Sequence, residues 1–151
     1  GFFVLGLGAV FNGAFSAARR FLVTVGIVRE MGRPLALLTG NYNFIYESFI
    51  LGAEGALIGF GAVMTAEQVE LIRLTKIGDF ANAKPKAREI QCLADAVFAA
   101  PVANYRARLK EILVMQGLLD EAHVREPLIP IANSERESLR KVLVNLGLLA
   151  K

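Results

Sequence analysis

The sequence predicts an α/β fold in which parallel strands joined by helices give way to an all-helical carboxyl-terminal region. Two short apolar runs, Leu35 to Thr39 and Gly55 to Phe60, are strand-sized, and a helix-sized segment separates them. Strands joined through a helix return to the same end of a sheet, so these two are expected to run parallel. A third run, Phe2 to Phe11, is continuously apolar, as suits a parallel strand covered on both faces.

The amino end, Gly1 to Ala18, is almost wholly apolar, but three internal glycines, an Asn-Gly pair and a length short of the ~20 residues a span needs argue against a membrane segment. A buried strand and a turn at Asn12-Gly13 explain it better. The absence of an initiator Met leads to the expectation that the natural start lies upstream. From Ser16 the spacing becomes helical, with Ala18, Phe21, Leu22, Val25 and Val28 on one stripe and Gly32 and Pro34 as the stop. Strand Leu35 to Thr39 follows, then a short helix from Phe44 to Leu51 ended by Gly52, then strand Gly55 to Phe60. Thr65 with Gln68 has the spacing of a capping box, and Val69 and Ile72 are expected to mark the buried side of that helix, which Gly78 ends.

Residues 1–77 thus read as three βα units, and 78–151 as a helical region. Asp79 opens a helix with Ile90, Leu93, Ala94, Val97 and Phe98 on one face; Pro85 marks a kink or a late start, and Pro101 closes it. Tyr105, Leu109, Ile112 and Leu113 outline the next helix, which Gly117 ends. Pro127 and Pro130 keep the following connection extended. A last helix is expected from Ser134, with Glu137 completing a second capping box and Leu139, Val142, Leu143 and Leu146 facing inward.

Composition narrows the functional classes. With 151 residues of which 54% are hydrophobic, the chain suits one domain with an ample core. The net charge of +3 is mild, and its Lys and Arg are dispersed, which disfavours nucleic acid binding. A mean hydropathy of +0.46 is the sole support for a membrane-associated helical protein, and the charged helical faces oppose it. Cys92 is alone, fits a reducing, cytoplasmic setting, and reads as a small buried hydrophobe. His123 is also alone, in the polar connection DEAHVREP, so a zinc site is improbable and no metal is expected.

The stretch TGNYNFIYESFILGAEGALIGF, Thr39 to Phe60, resembles the seventh and eighth strand region of the dihydrodipicolinate synthase and N-acetylneuraminate lyase family. The later pattern FAxPxxxYRARLKEILVMQGLL, then VREPLIPI, then ESLRKVLVNLGLL, resembles the helical region that caps the barrel in the same family. The resemblance runs from about Ala14 to the end and is specific because order, spacing and several motifs agree. It implies the last three βα units of a (β/α)8 TIM barrel followed by a carboxyl-terminal helical cap. A whole barrel takes ~250 residues, so the early strands are not expected in this chain.

The family's chemistry is a class I aldolase reaction on pyruvate or another 2-oxo acid, through an imine to a lysine at the end of the sixth strand, with no cofactor. Here the aligned position is Phe11, which cannot form an imine. The lysines at 76, 84, 86, 110, 141 and 151 fall in helical segments toward the carboxyl end and are expected to be solvated. The resemblance carries three residues over as substrate-binding. Gly40 and Asn41 match the small-residue loop beyond the seventh strand, although Tyr42 replaces the usual acidic neighbour. Leu57 matches the aliphatic residue of the eighth strand whose carbonyl borders the lysine. The plainer alternative is that Gly40 only permits a turn and Leu57 only fills core. The resulting expectation is a dihydrodipicolinate synthase-like lyase, truncated and inactive alone, that associates as a homo-oligomer or with a missing amino-terminal half. The rival reading is a non-catalytic half-barrel serving interaction or assembly.

Overall fold

The computed structural model describes residues 14–32 and 35–150, so the expected strand from Phe2 to Phe11 lies outside the described residues. The chain divides into two units: one holds the described residues up to Gly61 together with Thr65–Ala87, the other Ala62–Met64 and the residues from Arg88 on.

In the first unit, helix α1 spans Ala14–Glu30 and buries Phe21 and Val25. Leu22, expected on the same stripe, is 50% exposed, because one residue past Phe21 is a 100° turn away from the contact line. Phe21 meets Phe44 edge-on, with ring centroids 6.4 Å apart. Gly32 ends the helix with φ +65, the left-handed conformation that glycine adopts without a Cβ clash.

Strand β1, Leu38–Thr39, pairs in parallel with β2, Gly55–Ala56, Leu38 lying opposite Gly55 and Thr39 opposite Ala56. Glu54 N donates to the Leu37 carbonyl at 2.8 Å and Leu57 N to the Thr39 carbonyl at 2.9 Å, which carries the pairing to either side. The parallel relation is as expected, but the regular ladder is shorter than the apolar runs. Gly59–Ala62 is a 3-10 turn, and Phe60 owes its apolar character to burial in that turn rather than to a strand.

Between the strands a 3-10 turn, Tyr42–Phe44, leads into helix α2, Ile45–Ile50, which packs on α1 and on helix α3, Thr65–Lys76. At Gly52 φ is +104, a backbone conformation that favours glycine, and Arg29 Nη2, the tip of a flexible side chain, lies 3.1 Å from where a Cβ would stand.

Helix α3 corrects two expectations. Its buried residues are Gln68, Leu71, Leu74 and Thr75, spaced i, i+3, i+6 and i+7, whereas Val69 is 60% exposed and Ile72 half-buried. Val69 lies about 100° around the helix from Gln68 and about 200° from Leu71, outside the packed stripe. The reciprocal capping box does not form, since Thr65 Oγ1 donates to the Gly61 carbonyl at 2.8 Å and Gln68 Nε2 to the Phe60 carbonyl at 3.1 Å. Both side chains bind the carbonyls of the preceding turn instead.

Helix α4, Phe80–Val97, continues from the first unit into the second with Pro85 inside it. Asp79 caps it by accepting from Asn82 N at 3.2 Å. In the second unit Ile90, Leu93, Ala94 and Val97 are buried as expected, but Cys92 is exposed, because it stands two residues from Ile90 and so on the opposite side. Helix α5, Tyr105–Met115, packs on helix α6, Asn133–Asn145, with Ile112, Leu139 and Leu143 buried and Leu113, Val142 and Leu146 half-buried. The second capping box is also absent: α6 starts one residue early, Ala132 takes the N-cap position, and no side chain caps it. No helix among the described residues is long and apolar enough to cross a membrane.

Candidate functional site

Because β1 and β2 run parallel, their carboxyl ends lie at one end of the sheet, and the segments that follow them, Gly40-Asn41 and Leu57, open there together. Gly40 is exposed and Asn41 half-buried. Leu57 is 63% exposed, which removes the reading of it as core, while its amide is held by the Thr39 carbonyl.

The loop after β1 is shaped by two consecutive side-chain-to-backbone bonds of the kind that let Thr and Asn replace a backbone turn. Thr39 Oγ1 accepts from Asn41 N at 3.3 Å, and Asn41 Oδ1 accepts from Asn43 N at 3.0 Å. Beneath it Thr39 and Ser48 are 2% and 0% exposed, and their hydroxyl oxygens lie 3.0 Å apart; Ser48 Oγ also donates to the Phe44 carbonyl at 2.5 Å. Sequence reasoning missed this pair. Its signal was a Ser in the mainly apolar run FIYESFI, since a polar side chain buried in such a place must find partners.

The expected nucleophile position, Phe11, lies outside the described residues. Of the lysines, Lys76 Nζ donates to the Glu54 carbonyl at 3.3 Å, Lys84 and Lys141 are exposed, and Lys86 is half-buried. Lys110 is less solvated than expected, because the carbonyl of exposed His123 accepts a hydrogen bond from its amine. Among the described residues no three His, Cys, Asp or Glu side chains gather as a metal site. The arrangement is a loop held by its own side-chain and backbone hydrogen bonds where two parallel strands end.

Residues 13–146 match the dihydrodipicolinate synthetase family. The chain belongs to that family. It is 25% identical over 131 residues to 4-hydroxy-tetrahydrodipicolinate synthase 2 of Clostridium acetobutylicum, an overlap of 87% of this chain and 45% of the relative. The dihydrodipicolinate synthase of Aquifex aeolicus superposes with a TM-score of 0.74 at 28% identity, over 89% of this chain and 43% of that one. The Acinetobacter baumannii synthase, solved complexed with pyruvate, shares the fold with a TM-score of 0.74 at 23% identity, over 87% of this chain and 43% of its own. The chain spans less than half the length of the curated relatives it matches, and its fold is that of part of a (β/α)8 barrel. The family match begins at Gly13, two residues beyond Phe11.

Proposed function

We propose that this chain forms the carboxyl-terminal part of a Schiff-base lyase pocket that makes or breaks a carbon-carbon bond next to a 2-oxo acid, pyruvate being the reference substrate. On this reading residues 1–77 are the last three βα units of the barrel and 78–151 its helical cap. The observation that carries the proposal is the parallel β1–β2 pair, whose carboxyl ends present Gly40, Asn41 and Leu57 at one end of the sheet. The backbone of these residues borders the substrate carboxylate and keto group. The imine-forming lysine is absent from this pocket wall, with Phe11 at its aligned position, so the 151-residue chain alone is inactive. The pyruvate complex of the A. baumannii relative and the family match support the choice of substrate.

Amide chemical shifts test this reading directly. Titrating the labelled chain with pyruvate is expected to move the resonances of Gly40, Asn41 and Leu57 together, in a saturable way. Shifts confined to scattered surface lysines and arginines would overturn it.

A further inference from the structure

The buried hydroxyls of Thr39 and Ser48 belong to no catalytic step, yet their geometry fixes the direction of every proton in the cluster. A carbonyl oxygen has no proton to give, so the 2.5 Å contact between Ser48 Oγ and the Phe44 carbonyl uses the single hydroxyl hydrogen of Ser48. The 3.0 Å contact between Ser48 and Thr39 must then be donated by Thr39, whose own oxygen accepts from Asn41 N at 3.3 Å. The result is a one-way chain from the Asn41 amide to the Thr39 hydroxyl, to the Ser48 hydroxyl, to the Phe44 carbonyl. Each donor polarises the next, and burial at 2% and 0% exposure keeps water from competing.

We propose that Ser48 is a positioning residue: acting through Thr39, it holds the Gly40-Asn41 loop in the conformation that receives the 2-oxo acid. This rests on the proposed function for its substrate. The hydrogen-bonded chain also links two elements of the fold. Thr39 ends β1, Ser48 sits inside α2, and the loop between them carries the backbone at the mouth of the site. Without Ser48 the Thr39 hydroxyl loses its acceptor and is free to rotate, and Asn41 N loses a fixed partner. A loop ordered before the ligand arrives does not have to be ordered by it, which raises affinity.

Three variants of the full chain, Ser48→Ala, Thr39→Val and Thr39→Ser, test the proposal by hydrogen exchange of the Asn41 amide and by pyruvate titration. Ser48→Ala and Thr39→Val are expected to speed Asn41 exchange about two- to tenfold, as loss of one neutral hydrogen bond implies, with exchange in α3 unchanged. They are expected to weaken the pyruvate-induced shifts by a similar factor. Thr39→Ser keeps the hydroxyl and is expected to behave as the unaltered chain, a rescue that mere packing of the Thr39 methyl would not give. Should Ser48→Ala fail to fold, the Thr39→Val and Thr39→Ser pair decides. Asn41 exchange equal to that of the unaltered chain in the folded variants would overturn the relay. Faster exchange with an unchanged pyruvate affinity would overturn its role toward substrate. Absence of any pyruvate shift in the unaltered chain would instead sink the substrate reading, leaving the exchange data to judge the relay.

Discussion

Arg108 puts a guanidinium where only 1% of its side chain meets solvent, and it is held there by three oxygens. Nη1 donates to the carbonyls of Val97 and Ala99 at 2.8 and 2.6 Å, and Nε to Glu135 Oε1 at 2.5 Å. Val97 is the last residue of α4, so the cation also stands at the negative end of that helix. Removing the guanidinium leaves the Val97 and Ala99 carbonyls without their donor, and a buried polar group left unsatisfied costs about 1–3 kcal/mol. Arg108→Ala is therefore expected to lower the urea midpoint of unfolding sharply. Glu135→Gln should cost much less, because Glu135 is 31% exposed and the amide oxygen can still accept. Equal midpoints for Arg108→Ala and the unaltered chain would contradict this account. Asp79 gives the residue scale its pH dependence. The side-chain amide of Asn82, and then its backbone amide, hold the Asp79 carboxyl below its ordinary value. A carboxylate with a depressed folded value stabilises the fold above the ordinary carboxylate range and loses that contribution as pH falls through the depressed value. Thermal melts of Asp79→Ala and the unaltered chain should differ at pH 7 and converge as the pH falls below the ordinary carboxylate range. A difference that persists unchanged at the acid end would show that the cap acts without its charge.

At the scale of elements, what could be read from the sequence was where helices start and stop, because glycines and prolines act locally. Gly32, Gly52 and Gly117 each end a helix as their positions indicated. Helix phase was harder to read where polar side chains are buried. In α3 the inward stripe includes Gln68 and Thr75, which tolerate burial because they donate to the carbonyls of Phe60 and Leu71, and their presence on that stripe hid it behind the more apolar Val69 and Ile72. The same reason hid the hydroxyl pair under the candidate loop: Gly40 and Asn41 are conspicuous as a turn, but the meeting of Thr39 with Ser48, nine residues on, is a property of the fold. The capping boxes failed because spacing alone does not say which residue leaves the helix. The corrected phase has a direct test. Leu71 is fully buried, so Leu71→Ala should cost about 2–5 kcal/mol by chemical denaturation. Val69→Ala, at a position 60% exposed, should stay within about 0.5 kcal/mol. The opposite order would restore the stripe first expected.

For the whole molecule, kinship was legible because several motifs keep their order over most of the chain, and the family match over residues 13–146 agrees with that reach. Activity is a different matter, since it needs a nucleophile and a complete pocket, and the two can be lost separately. Borohydride reduces a pyruvate imine to a stable adduct only when a neutral lysine amine stands beside the bound keto carbon. Among the described residues Lys76 and Lys110 are tied to the carbonyls of Glu54 and His123, and Lys84, Lys86 and Lys141 stand on helices away from the strand ends in sequence, Lys84 and Lys141 exposed and Lys86 half-buried. Incubation of the unaltered chain with pyruvate and borohydride is therefore expected to give no site-specific adduct by mass spectrometry. Phe11→Lys supplies the amine alone. It should not restore turnover, because proton transfer and substrate orientation on the proposed reading come from strands outside this chain, and positioning accounts for much of such a rate. Supplying the amino-terminal half of a relative together with the Phe11→Lys chain should yield a pyruvate adduct at position 11 if the two parts associate. A saturable adduct on the unaltered chain would show instead that another lysine performs the chemistry, and would end the view of this chain as inactive alone.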